Sequence, residues 1–284
     1  MASENKLAWV TGANGLIGNY FVQTAPKNFR VRALARQDFD LLDFKTVERE
    51  FKKYKPQLVI HCAAIPTVAG TLANPGLAKK TNIDATKLLA ELAAEIQFLF
   101  LSTDFIFDGK KGNYTETDLP NPISLYGETK VVGEQIVLQN PKTIVIRTSI
   151  NCGASKTGTR GFNEQLRLAL QNEKSKMKLF TDEFRCPIFA GETARAGWEL
   201  ANKNCAGIFH VAGAEKLSRW QIGQLLVQRW PELKSKIESG SAKDFPGPPR
   251  ALDTSLDISK VQKILSQPLP GLSEWLAANP NEPV

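Results

Sequence analysis

Long hydrophobic runs are missing from this 284-residue chain. No stretch approaches the roughly 18 consecutive apolar residues of a membrane-spanning helix, so no membrane association is expected. The opening residues, MASENKLAWV, lack the basic-then-apolar layout of a secretory signal, and a cytoplasmic protein is the expectation. Histidine is scarce. With only His61 and His210, a histidine-rich metal site is not expected, and no metal is assigned. The four cysteines, Cys62, Cys152, Cys186 and Cys205, are widely spaced and form no C-x-x-C pair. That spacing argues against zinc knuckles and a disulfide framework and leaves free thiols. Dense basic clusters are also lacking. The formal net charge is +7, yet Lys and Arg are scattered, with nothing denser than pairs such as Lys52-Lys53 and Lys110-Lys111. Nucleic-acid binders cluster such residues and interleave aromatics, so no nucleic-acid partner is expected. The positive excess suits small anionic molecules such as phosphorylated cofactors.

What the chain does have is an alternation of short apolar runs and amphipathic stretches. Residues 7–10, 30–35, 58–64, 98–101 and 143–146 read as strands, with 15–25, 44–54, 77–94 and 125–138 as the helices between them. Val47 and Phe51 stand four apart in one of these helices, and Leu88, Leu89 and Leu92 share a face of another. Repeated β-α-β units predict a parallel sheet covered by helices on both faces. The expected class is α/β, a Rossmann-type doubly wound parallel sheet with a smaller C-terminal substrate-binding region. After about residue 151 the pattern loosens. Residues 153–161 read as a loop, 162–171, 220–230 and 259–265 as helices, 208–211 as one more strand, and 245–250 (FPGPPR) as a rigid turn. The expected division is a dinucleotide-binding domain over 1–150 and a mainly substrate-binding region over 151–284, some segments of which return to the sheet.

The first strand runs straight into TGANGLIG (11–18), which spaces its glycines G-x-x-G-x-x-G. Gly12 lets the chain turn off the strand, Gly15 lets a pyrophosphate approach the backbone, and Gly18 lets the helix pack against the strand. The helix then offers free N–H groups and a positive dipole end to phosphates. Gly12, Asn14, Gly15, Leu16, Ile17 and Gly18 are therefore the candidate cofactor loop. The second strand ends Ala33-Leu34-Ala35-Arg36 with no acid before Asp38. A carboxylate there would suit the ribose of NAD, whereas an arginine suits a 2′-phosphate. Arg36 therefore points to NADP, with NAD kept as the alternative.

Tyr126-Gly127-Glu128-Thr129-Lys130 opens a helix, and its phenol and ammonium share a face at i and i+4. The charge of Lys130 is expected to lower the Tyr126 pKa, so that Tyr126 exchanges a proton with a carbonyl oxygen while a nicotinamide exchanges hydride. A hydroxyl from Ser102-Thr103, at the end of the preceding strand, would face the cleft where parallel sheets bind ligands.

Together TGANGLIG, HCAA (61–64), STDFIFDG (102–109) and YGETK (126–130) resemble the extended short-chain dehydrogenases/reductases, in particular dTDP-4-dehydrorhamnose reductase and its relatives. The likeness continues through IRTSI (146–150), DEFRCP (182–187), GIFHVAG (207–213) and PPRALDTSLDISK (248–260), and so covers nearly the whole chain. The resemblance implies that Thr103, Tyr126 and Lys130 form the catalytic triad. It places Asp40 and Leu41 beside the adenine, and Ala63, Ala64 and Ser102 along the cofactor. It also implies that Arg185 and Arg250 meet substrate or nucleotide phosphates. Three positions depart from the pattern. Val68 to Ala73 replace a segment that usually carries an Asp and a Glu, Phe105 replaces a Tyr, and Ile150 replaces a Trp of the sugar pocket. Thr103, Phe105, Tyr126, Ile150, Arg185 and Arg250 are the candidate substrate residues. The implied activity is NAD(P)-dependent hydride transfer to or from a sugar carbon, with reduction of a keto-deoxysugar nucleotide first. The alternatives are action on another sugar or polyol, or a non-catalytic role like that of the NADP-binding methionine adenosyltransferase beta subunit. The partner expected is a sugar or sugar nucleotide, and a homodimer is compatible with this reading.

Overall fold

Both faces of the central strands are buried, and their composition shows it. Leu58–His61 is buried at all four positions and Thr143–Thr148 at all six, as expected of strands sandwiched between helical layers. The computed structural model describes residues 5–37, 39–172, 176–247 and 249–282. The first half runs β1 (Lys6–Thr11), α1 (Leu16–Gln23), β2 (Phe29–Leu34), α2 (Phe44–Tyr54), β3 (Leu58–His61), α3 (Val68–Ala73), α4 (Pro75–Lys79), a π-helical turn (Lys80–Asp84), α5 (Ala85–Leu92), β4 (Gln97–Thr103), α6 (Leu125–Val137) and β5 (Thr143–Thr148). The second half runs β6 (Asn151–Cys152), α7 (Phe162–Asn172), β7 (Met177–Phe180), β8 (Phe184–Arg185), β9 (Ile188–Phe189), α8 (Ala190–Asn202), β10 (Gly207–His210), β11 (Leu217–Ser218), α9 (Arg219–Val227), β12 (Ile237–Gly240), α10 (Ser259–Gln262) and α11 (Leu272–Ala278).

Six strands form one parallel sheet in the order β10-β5-β4-β3-β1-β2. The chain therefore winds outward from β1 to β2, then crosses back to β3 and proceeds to the other edge. The crevice of this doubly wound sheet lies between the C-terminal ends of β1 and β3, where connections leave in opposite directions. One face is covered by α1 and α8, with Phe21, Phe29, Trp198 and Ile146 in its core. The other is covered by α2, α5 and α6, around Trp9, Phe51, Phe98, Leu89 and Val137. The helix expected over 77–94 is interrupted by the π-helical turn, where one extra residue is accommodated in the ladder. Helix α8 covers a stretch given no element from the sequence. A third cluster, including Cys152, Leu166, Ile222, Trp230 and Trp275, packs the small strand pairs and helices α7, α9 and α11. Pro248 and Asp38 lie outside the described residues. No helix among the described residues is long and apolar enough to cross a membrane.

Candidate active site

At the end of β1 the chain turns at Gly12 with φ +66°. A Cβ there would stand 2.8 Å from Ala63 N, so glycine alone fits both the left-handed backbone and the close approach of the segment after β3. Gly15 N donates to Gly12 O at 2.8 Å. Gly15 caps α1 without a side-chain hydrogen bond, so the N–H groups of Leu16 and Ile17 have no side-chain acceptor from the cap. A Cβ on Gly18 would run into Gly12 O. Thr11 Oγ1 accepts from Ala63 N at 3.2 Å and lies 2.7 Å from His61 Nδ1, while His61 Nε2 lies 3.0 Å from Thr86 Oγ1. Burial, aided by Lys130, pushes the His61 pKa down to about 3. His61 is thus a neutral strut between β1 and α5, with Ala63 and Ala64 half-buried just beyond it.

On the adenosine side, Ala13 N reaches Leu34 O at 3.4 Å, which holds the turn against the end of β2. Asn14 Nδ2 lies 3.3 Å from Gln37 Oε1. Arg36 is exposed and has no hydrogen bond or ion pair among the described residues. Asp40 Oδ1 accepts from Leu42 N at 3.0 Å, and Leu41 packs half-buried against the Trp9 cluster.

The Ser124 hydroxyl accepts from Gly127 N at 3.2 Å and so starts α6 where it places Tyr126 in the first turn. Gly127 permits contact with Phe105 O, which a Cβ would block. That approach sets the Tyr126 ring edge-on to Phe105, with centroids 5.9 Å apart, and its phenol close enough to Thr103 for that hydroxyl to favour the phenolate. Ser102 and Thr103 point to opposite faces, as neighbours on a strand must. The Ser102 hydroxyl donates to Glu134, which is paired with Arg147 at 2.8 Å in the interior. Thr103 Oγ1 lies 3.3 Å from Asp104 Oδ1 and accepts from Phe105 N at 3.2 Å.

Burial pushes the Tyr126 phenol up to about 12; Thr103 opposes this and Asp104 adds to it. The expected lowering by Lys130 is therefore overturned. Although the two residues share a helix face, the Lys130 ammonium sits 3.9 Å over the Phe100 ring. The ionisable groups that act on it are Glu134 and Cys62 rather than the phenol. Burial lowers Lys130 itself to about 7. Lys130 is 3% exposed and has no hydrogen bond or ion pair among the described residues. A buried cation without an acceptor, together with an α1 N-terminus lacking a side-chain cap, fits an anionic dinucleotide bearing hydroxyl groups.

Arg185 and Arg250 converge, but on a carboxylate. Arg185 Nη2 lies 3.1 Å from Glu183 Oε1, and Arg250 is bound through Nε and Nη2 to the same group. Arg185 also sits 5.3 Å from the Phe105 ring centroid and 3.7 Å from Asp104 Oδ2. It thereby links this cluster to the Thr103–Tyr126 pair. Ile150 is half-buried against the C-terminal core. Sequence reasoning missed the third arginine, Arg219, whose Nε lies 3.0 Å from Glu183 Oε1. Burial raises the Glu183 pKa, but Arg250, Arg219 and Arg185 outweigh it and hold the carboxyl at about 2. Arg185 Nε and Arg219 Nη1 remain buried without hydrogen-bond partners. Asp104 was also missed, although it stands within the quoted STDFIFDG. It gathers Ser149 Oγ at 2.7 Å and Thr254 Oγ1 at 3.0 Å, and burial pushes its carboxyl upward against Arg185 and these hydroxyls. Asn82, in the π-helical turn, binds Ile65 through both N–H and C=O and donates to Thr129 Oγ1 at 3.0 Å. No periodicity in the sequence marks it. No group of metal-ligating residues occurs among the described residues.

The family model described as the RmlD substrate binding domain matches residues 7–280. The chain is 32% identical to the "Probable low-salt glycan biosynthesis reductase" of Haloferax volcanii, covering 95% of this chain and 96% of that protein. It is 30% identical to dTDP-4-dehydrorhamnose reductase of Sinorhizobium fredii, covering 93% of each. Methionine adenosyltransferase 2 subunit beta of Xenopus laevis is 28% identical, with 92% of this chain and 83% of that protein covered. The same fold occurs in dTDP-4-dehydrorhamnose reductase from Bacillus anthracis in complex with NADP, with TM-score 0.87, 20% identity, and 96% and 98% of the two chains covered.

Proposed function

The chain belongs to the RmlD substrate binding domain family, and from that premise we propose that it is an NAD(P)-dependent oxidoreductase that reduces the keto group of a deoxysugar nucleotide. The observation that carries this reading is the Thr103 hydroxyl beside the Tyr126 phenol at the C-terminal end of β4, one helical turn from the buried Lys130. When bound, the reduced nicotinamide supplies the hydride. Negative charge then grows on the substrate oxygen, and a proton must reach it. Tyr126 gives that proton from its hydroxyl. Thr103, held by Phe105 N and Asp104, orients the oxygen. Lys130, buried over Phe100 one helical turn further on, would hold the cofactor ribose. Gly12, Asn14, Gly15, Leu16, Ile17 and Gly18 would cradle the pyrophosphate, with Arg36 facing a 2′-phosphate and Asp40, Leu41, Ala63, Ala64 and Ser102 along the cofactor. Phe105 and Ile150 would shape the sugar pocket, and Arg185 and Arg250 would face the anionic part of the substrate.

In this reading residues 1–150 carry the dinucleotide, and 151–284 supply most of the substrate wall while lending α8 and β10 to the sheet. The test is oxidation of NADPH by the purified protein with dTDP-4-dehydrorhamnose and related 4-keto sugar nucleotides. Turnover that disappears in Tyr126→Phe supports the reading. Tight cofactor binding with no turnover of any sugar nucleotide overturns it.

A further inference from the structure

The loop over 153–161 carries Lys156 and Arg160 and no acidic residue. It is fixed from three sides. Glu164 accepts from Ser155 N and Oγ, both at 2.7 Å, from Arg160 N at 2.8 Å and from Gly161 N at 2.7 Å. Asn163 clasps Gly153 through its N–H at 2.9 Å and its C=O at 3.1 Å. The Tyr20 hydroxyl, on α1, accepts from Ala154 N at 3.1 Å and ties the loop to the helix that follows the glycine turn.

So held, the loop places Lys156 Nζ 3.4 Å from Asn14 Oδ1, across 142 residues of sequence. Asn14 stands between Gly12 and Gly15, and its amide nitrogen faces Gln37, the neighbour of the exposed Arg36. Glu164 already accepts four donors from the loop and is not paired with Lys156. Among the described residues the one partner of the ammonium is thus a neutral amide oxygen at the long end of hydrogen-bonding range. Asn14 is thus met by Lys156 from the second half of the chain and by Gln37, next to Arg36, from the first, and neither Lys156 nor Arg36 has a carboxylate partner among the described residues.

We propose that Lys156 is a phosphate ligand of the bound dinucleotide, delivered by the second half of the chain onto the glycine turn of the first. The inference rests on the cofactor reading above and adds to it a residue outside the nucleotide-binding half. The shared chemistry is a phosphate group, either the 2′-phosphate or the pyrophosphate. Because the loop is already pinned, little ordering entropy is lost when the contact forms.

The experiment is calorimetric titration of wild type, Lys156→Ala and Lys156→Glu with NADPH, NADH and ADP-ribose at low and high salt. Lys156 is exposed, and unchanged thermal melting of both variants confirms that the fold is retained. Lys156→Ala is expected to weaken binding about five- to thirtyfold at low salt, with Lys156→Glu weaker still and the wild-type salt dependence reduced in both. Loss confined to NADPH assigns the contact to the 2′-phosphate. Equal loss with NADPH, NADH and ADP-ribose assigns it to the pyrophosphate. Wild-type affinity of Lys156→Ala for all three ligands overturns the proposal while leaving the cofactor reading intact. Failure of the wild-type protein to bind any of them overturns both.

Discussion

Replacing Lys130 with methionine is expected to make the cofactor-free protein more stable while disabling its site. The ammonium is buried over Phe100, and the surrounding groups compensate it poorly. Glu134 is committed to Arg147 and Ser102, Cys62 stays a thiol because burial pushes it to about 12, and His61 is neutral. The fall of Lys130 from 10.5 to about 7 corresponds to on the order of 5 kcal/mol, at roughly 1.4 kcal/mol per tenfold change in proton affinity. The sign follows from proton counting. Below about pH 7 the folded and unfolded chains both hold the proton, and the full cost of burying the charge is present. Between about 7 and 10.5 the unfolded chain keeps a proton that the folded chain releases, so this contribution rises with pH. Lys130→Met, of similar length and apolar, removes the cost and the slope together. Urea unfolding of the cofactor-free protein at pH 6 and pH 9 measures both. The variant should gain about twice as much stability at pH 6 as at pH 9, and its NADPH affinity and turnover should fall. A variant less stable than wild type at pH 6, or a wild-type contribution that does not change with pH, would refute the reasoning.

Other substitutions probe separate parts of the site. Tyr126→Phe keeps the ring beside Phe105 and removes only the hydroxyl, so turnover should fall roughly 10²–10⁴-fold with NADPH affinity nearly unchanged in a titration. Arg147→Met strands Glu134 in the interior and should cost about 3–5 kcal/mol in urea unfolding, with most of it recovered by adding Glu134→Leu. Gly12→Ala forces a side chain into a left-handed backbone against Ala63 and should abolish cofactor binding measured by fluorescence. Arg36→Ala should weaken NADPH about tenfold and leave NADH unaffected. Equal loss for both nucleotides would remove Arg36 from the 2′-phosphate.

The elements that the sequence reveals are those with bulky apolar periodicity. Helix α2 occupies 44–54 as expected, because Val47 and Phe51 mark its buried stripe and Asp43 caps it at Thr46 N. Helix α8 was invisible because most of its buried face is small, with Ala190, Ala194, Ala196, Gly197 and Ala201 beside only two bulky apolar residues, Trp198 and Leu200. Small residues carry little periodic signal, yet Gly197 is what lets the helix settle against Phe21. The motif residues Thr103 and Tyr126 were legible as a pair because each ends or begins an element at a fixed place. The direction of the Tyr126 pKa was not legible. Spacing shows which residues share a helix face, whereas burial and the course of a long lysine side chain are set by the folded environment. The Glu183 cluster was half legible for the same reason. Its members at 183, 185, 219 and 250 come together only through the β8–β11 pairing and the return of the chain past Leu252.

The edge of the sheet beside β5 is closed by β10, and the face over α1 is closed by α8 through Trp198, whose Nε1 donates to Phe21 O at 3.0 Å. Both come from sequence that follows the nucleotide-binding half. During synthesis, then, that half emerges from the ribosome with an unpaired strand edge and an uncovered patch around Phe21 and Phe29. It must wait for roughly sixty more residues before either is covered. A ribosome-bound chain stalled just after β5 should therefore be a chaperone client and protease-sensitive, and release from both should coincide with emergence of β10 rather than with completion of the glycine turn.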